Sequence, residues 1–210
     1  MTKLRVYTFP DLVLSKKAAP IGRVEKSLYR LADDMLETMY CETGIGLAAN
    51  QVGILQRILV LDPEYDLVDP KGDLASAKQV EIFDENYVIN KQPQIFLNPE
   101  IIYREGTASI KEGCLSVPEF RAEIKRAEKI KLQYQTIDGL TKVLSADGLL
   151  AIVIQHEIDH LDGKLMIDRL SPLKREMAKK KLAKLRAEAD AAEAELIDGG
   201  LSSKLTKTSK

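Results

Sequence analysis

His156 and His160 sit four residues apart in the stretch Gln155-His156-Glu157-Ile158-Asp159-His160, inside an apolar run that begins at Leu149. Positions i and i+4 of an α-helix lie on one face, so both imidazoles can reach a single ion. Glu157, between them, is free to act as general base, which is the physical content of the H-E-x-x-H pattern. These are the only two histidines in 210 residues. The competing reading is a partly buried helix with two satisfied histidines.

A catalytic ion needs a third protein ligand and an open position for water. No histidine follows His160, and Glu176 with the acids beyond it lies in a polar tail, which leaves Asp162 and Asp168 as weaker candidates. A cysteine thiolate fits better. Cys114, next to Gly113 at a predicted sheet edge, is preferred to Cys41 at a helix end, although spacing leaves both open. The two could form one disulfide. The N-terminus lacks a long apolar signal segment and no stretch has the length of a membrane span, so a cytoplasmic location is expected, where a thiol or metal-ligand role is favoured.

The elements that must position these groups follow from periodicity. Val24, Leu28, Leu31, Met35 and Met39 predict an amphipathic helix stopped by Gly44, after an irregular arm over residues 1–22. Gly44-Ile45-Gly46-Leu47-Ala48-Ala49-Asn50-Gln51 is then either a substrate-lining loop or a tight helix-to-strand connection. It lacks the Lys-Ser/Thr ending and preceding strand of a phosphate loop. Strands are expected at Ile58–Leu61 and from Gln94 past Pro99 to Tyr103. Clean alternation over 129–137, the turn signal Asp138-Gly139 and a return over 141–144 make a hairpin. A helix follows, capped by Ser145 or Asp147, apolar nearly all round and therefore buried, ending near Asp162-Gly163. Leu149, Val153, His156 and His160 form one stripe of it.

Two segments read as appendages. Between Asp62 and Lys91 there are eight acidic residues against three basic ones, and this excursion of about 62–93 is expected to be a solvated loop without chemistry, with a short strand around Val80, Ile82 and Phe83. From Pro172 a Lys-, Ala- and Glu-rich exposed helix is expected to about Ile197, then Gly199-Gly200 and a disordered end. Seven basic residues and one acid between Lys174 and Arg186 make either a solvated face or a docking patch for an acidic partner such as RNA. The resulting architecture is α+β: antiparallel sheets packed around a buried central metal-binding helix, with a C-terminal helix. The catalytic domain is assigned to residues 1–170 and the helix and tail to 171–210. A net charge of −1 gives no global pull toward nucleic acid or membrane.

Gly44-Ile45-Gly46-Leu47-Ala48-Ala49-Asn50-Gln51, Glu112-Gly113-Cys114-Leu115-Ser116 and Gln155-His156-Glu157-Ile158-Asp159-His160 resemble, in order, the three motifs of the peptide deformylases. The resemblance covers most of residues 1–170. It implies a metallohydrolase that removes the formyl group from the N-terminal formylmethionine of nascent polypeptides and releases formate. Cys114, His156 and His160 would hold one divalent metal, Fe(II) natively, with zinc, nickel or cobalt as substitutes. Metal-bound hydroxide would attack, Glu157 would shuttle the proton, and Gln51 and the Leu115 N–H would hold the oxyanion. Gly46 would contact substrate backbone and Arg121 would lie near the pocket mouth. The implied partners are formylmethionyl nascent peptides and, through the basic helix, the ribosome, with neither a membrane nor DNA.

The chemistry of the residues agrees with those roles, since a metal, a side-chain amide and a backbone N–H can together hold a negative oxygen. An unbranched methionine side chain suits an apolar wall of Ile45, Leu115, Leu149 and Val153. The residues also admit two rival readings. A peptidase cutting internal bonds would need an extended groove and a different third ligand, and a structural metal module would close its shell with both cysteines.

Overall fold

The computed structural model of the chain describes residues 2–69 and 80–205. Helix α1 spans Lys26–Cys41, and Leu28, Ala32, Met35 and Met39 form its buried stripe. It starts later than Arg23, so Val24 precedes it, and Leu31 lies at the flank of the buried face, packed against the core. Beyond its end, the chain enters β1 (Gly46–Ala48), a short 3-10 turn (Ala49–Val52) and β2 (Ile58–Leu61). The segment from Gly44 is thus both a helix-to-strand connection and, as described below, a cavity wall.

The main sheet is antiparallel, with β6 (Gln94–Glu105), β9 (Lys129–Gln135) and β10 (Thr141–Asp147) in the order β1-β2-β6-β9-β10. Strand β6 does continue past Pro99, at the cost of a register shift against β9 between Leu97 and Glu100. Pro99 has no N–H for the ladder, and Asn98 takes a left-handed φ of 48° while its side chain bonds Ile21 N, Ile21 O and Gln135 Oε1. The β9–β10 hairpin turns at Gly139, φ 84°, and β10 runs three residues beyond Leu144. Ile130 and Leu132 face inward, as alternation predicts.

Helix α2, Gly148–Leu161, lies buried against this sheet, with Ala151, Val153, Ile154, Ile158 and Leu161 packed on Leu59, Phe96, Ile130 and Leu132. Full burial of one such side chain is worth about 1.5–3 kcal/mol. Asp147 occupies its N-cap position, but no side chain caps the helix. Gln155, also buried, is satisfied by Ala127 N, Ala127 O and Ala151 O. A separate two-stranded ribbon, β7 (Ala108–Cys114) and β8 (Val117–Arg126), turns tightly at Leu115-Ser116 and pairs Cys114 with Val117.

Both appendages differ from expectation. The acidic excursion is not merely a solvated loop: β3 (Asp66–Val68), β4 (Glu81–Phe83) and β5 (Asn86–Ile89) form an antiparallel sheet, order β3-β5-β4, with Phe83 and Val88 buried beside Met39, Tyr40 and Leu47. Residues 70–79 lie outside the described ones, as do 206–210, where the disordered end was expected to finish. Helix α3 spans Pro172–Leu205, passing through Gly199-Gly200; glycine costs about 1 kcal/mol in a helix relative to alanine, which weakens it without forbidding it. It is not simply exposed either. Ala178 and Leu182 are buried against Leu14, Val117, Ile124, Met166 and Ile167. Three of its basic residues are used internally, Arg175 on the carbonyls of Asp168 and Leu170, Lys181 on the carbonyl of Glu119, and Arg186 on Thr8 Oγ1. Among the described residues no helix is long and apolar enough to cross a membrane.

Candidate metal centre and active site

The fold brings the end of β7 against the last turns of α2. Cys114 Sγ lies 3.2 Å from His160 Nε2, which lies 3.2 Å from His156 Nε2. All three ligand atoms fall within 4.8 Å of one another. Three lone pairs converging on one point cannot be satisfied by protons shared among themselves, and a thiolate with two imidazoles suits zinc or iron. The donor set therefore fits a divalent metal. Both cysteines are free thiols, and Cys41 is not in the cluster. Asp162 is engaged by Arg57, and Asp168 by the Leu165 N–H, so neither weaker candidate joins.

A chain of charges, buried except at Arg169, orients the candidate ligands. Glu112 Oε2 lies 2.8 Å from His156 Nδ1, so a proton there leaves Nε2 free for the metal. Arg126 donates from Nε and Nη2 to Glu112 and from Nη1 to Asp159, and Asp159 also accepts two bonds from Arg169. Burial works against the Glu112 charge, but the bonds from His156 and Arg126 hold its carboxyl down to about 2. His160 is different: its Nδ1 is buried with no hydrogen-bond partner among the described residues, and burial favours the neutral ring by pulling its pKa well below the usual value.

Glu157 points from the same helix turn toward β1. It is 4% exposed, its Oε2 has no hydrogen-bond partner among the described residues, and burial pushes its carboxyl up to about 7. A Cβ on Gly46 would stand 2.5 Å from Glu157 Oε1, so only glycine leaves room at that position. Gln51, in the 3-10 turn after β1, is equally buried. Its Oε1 accepts the Ala48 N–H at 2.8 Å, which aims Nε2 at Ser116 Oγ, 3.2 Å, and toward Cys114 Sγ, 3.8 Å.

These groups open onto a cavity of about 810 Å³. Every predicted substrate contact lines it: Ile45, Gly46, Leu115, Arg121, Leu149 and Val153. Ile45, Arg121 and Leu149 are the exposed ones of these, Leu149 at 43% and Ile45 at 38%. The Gly113 Cα hydrogens lie beside the Arg121 side chain, since a Cβ there would meet Arg121 Nε at 3.5 Å. Strand β1 is the edge of the main sheet, so Gly46 offers unpaired backbone to the cavity. Sequence reasoning missed Ile110 and Phe120, which also line the cavity, and it quoted Glu112 and Asp159 without a role and Arg126 not at all. For Arg126 no local pattern points to the site, because its partners are 14 and 33 residues away.

Known proteins place this arrangement. Residues 3–176 match the family described as polypeptide deformylase. The chain is 46% identical over 189 residues to peptide deformylase 2 of Xanthomonas campestris pv. campestris, covering 89% of this chain and 98% of that one. It is 44% identical over 185 residues to the peptide deformylase of Alkalilimnicola ehrlichii, covering 88% and 92%. The crystal structure of a peptide deformylase from Legionella pneumophila superposes with a TM-score of 0.72 at 36% identity, over 90% of this chain and 98% of that one. With the three motifs gathered around one cavity and the match spanning most of the chain, this protein belongs to the polypeptide deformylase family.

Proposed function

We propose that this protein removes the formyl group from the N-terminal formylmethionine of newly made polypeptides, releasing formate, with the metal held by Cys114, His156 and His160. The observation that carries the reading is the convergence of those three ligands beside an unpartnered buried carboxylate, Glu157, and an aimed amide, Gln51. The metal, when bound, supplies a Lewis acid that lowers the pKa of water toward neutrality. Fe(II) is the native ion in this reading, with zinc, nickel or cobalt able to replace it, and the enzyme works in the cytoplasm.

The chain's own residues do the rest. Glu157, held near neutrality by burial, accepts a proton from water and delivers it to the departing amine. Gln51 Nε2 and the Leu115 N–H hold the negative charge that develops on the formyl oxygen. The free edge at Gly46 bonds the peptide backbone, Arg121 stands near the mouth, and Ile45, Leu115, Leu149 and Val153 receive the methionine side chain. A formyl carbon bears only hydrogen, so a buried centre admits it more readily than bulkier acyl groups.

Formate release from formyl-Met-Ala-Ser by protein loaded anaerobically with Fe(II), beside Glu157→Ala, tests this. Rapid release by the first and almost none by the second is expected; no release from folded, metal-loaded protein would refute it. The basic face of α3, where Lys174, Lys180 and Lys184 are exposed, is read as a ribosome contact. Lys180→Glu with Lys184→Glu should reduce ribosome co-sedimentation while short-peptide activity persists, and unchanged sedimentation would refute that contact.

A further inference from the structure

The excursion between Asp62 and Gln92 has no role in the chemistry above, yet it grips the strap of residues 42–45, which joins α1 to β1, at both ends. At the helix end, Asn86 of β5 donates Nδ2 to the carbonyls of Cys41, 2.9 Å, and Tyr40, 3.3 Å. These are among the carbonyls that a helix terminus leaves without helical donors. At the strand end, the Asp62 N–H donates to the Ile45 carbonyl at 3.0 Å.

Asp62 is itself pinned. It is fully buried, and its carboxylate accepts the Tyr40 hydroxyl and the Gln92 N–H, both at 2.7 Å, and the Glu64 N–H at 3.3 Å. One side chain thereby ties the two ends of the excursion to each other and to α1. The Tyr40 ring is packed by Phe83 and Tyr65, at centroid distances of 4.8 and 5.2 Å, so the anchor sits in a rigid aromatic cluster. Between the two grips, Thr43 holds a φ of 54°, a conformation that a β-branched residue keeps only where its surroundings impose it.

Packing of Phe83 and Val88 would be enough to seat the small sheet. The polar contacts do something else, because they end on the last carbonyls of α1, immediately before the strap, and on the Ile45 carbonyl at its far end, with Thr43, Gly44 and Ile45 lining the cavity wall between. We infer that the excursion sheet is a substrate-positioning element: Asn86 and Asp62 clamp the strap and so set where the Ile45–Gly46 edge meets the peptide. This rests on the proposed role of that edge in binding substrate backbone.

The test uses full-length, metal-loaded protein carrying Asn86→Ala or Asn86→Asp, the second nearly isosteric but without the donor. Ile82→Ala, on the exposed face of the same sheet, is the control. KM for formylated tripeptides should rise roughly 3- to 10-fold in both Asn86 variants, the scale of one lost hydrogen bond, with kcat and metal content within twofold of wild type. Hydrogen exchange should quicken in peptides covering 42–46 and stay unchanged in α2. Wild-type KM in both variants, with or without faster strap exchange, would overturn the inference. Failure of the underlying reaction would be seen separately, as no formate release by the wild type.

Discussion

The two walls of the cavity are held by different physics. On the α2 side, five charged or titratable groups in contact, His156, Glu112, Arg126, Asp159 and Arg169, form one ionic chain, buried except at Arg169. On the β1 side, the wall is backbone held by backbone and by neutral amides, with a single buried carboxylate, Asp62, behind it. Removing one member of a buried ion pair leaves an uncompensated charge and costs about 3–5 kcal/mol. Removing one neutral hydrogen bond costs about 0.5–1.5 kcal/mol. Damage to the first wall should therefore appear in metal binding and catalysis, and damage to the second in substrate affinity.

The comparison can be broken in order of expected effect. Gln51 belongs to the β1 side by position but to the metal side by aim, and Gln51→Ala should lower kcat by about 100- to 1000-fold, the usual loss for one oxyanion donor. A change confined to KM, measured on metal-matched protein, would show that its amide serves β1, through the Ala48 N–H, instead. Next, Glu112→Gln should weaken metal affinity by about 10- to 100-fold, as loss of a partner to a ligating histidine does. Chelator competition measures it, and undiminished affinity would mean that the ionic chain supports the fold without orienting His156. The smallest effect is expected at Cys41. Burial, aided by the Asp84 charge, pushes its thiol up to about 11, so little thiolate exists at pH 8. Slow alkylation of Cys41 and an unchanged metal content in Cys41→Ser are expected; loss of metal in that variant would revive the four-ligand structural module.

Several parts of this protein were legible without coordinates. The buried α2 helix, the shared face of His156 and His160, the β9–β10 hairpin and the stripe on α1 all follow from periods of 3.6 or 2 sustained over seven or more residues. The pairing of Cys114 with the histidines was a preference from residue chemistry and an implication of the family resemblance. The fold brings Cys114 Sγ to 3.2 Å from His160 Nε2, across 46 residues of chain.

What only the tertiary structure decided shares one physical cause: the deciding contacts are long-range and leave no local period. Strands β3 and β5 have three or four residues each, too few for alternation to stand out from the acidic residues around them, whereas β4 lies where the short strand around Val80, Ile82 and Phe83 was legible. The docked face of α3 rests on Ala178 and Leu182, which a lysine- and alanine-rich helix offers on every side. Arg126 and Asp159 look like ordinary surface charges until folding strips their water and leaves Glu112 and Arg169 as their partners. Sequence by itself determined which groups could do the chemistry, because that depends on residue type and local spacing. Structure determined what holds them still, because burial and pairing exist only once distant segments have met.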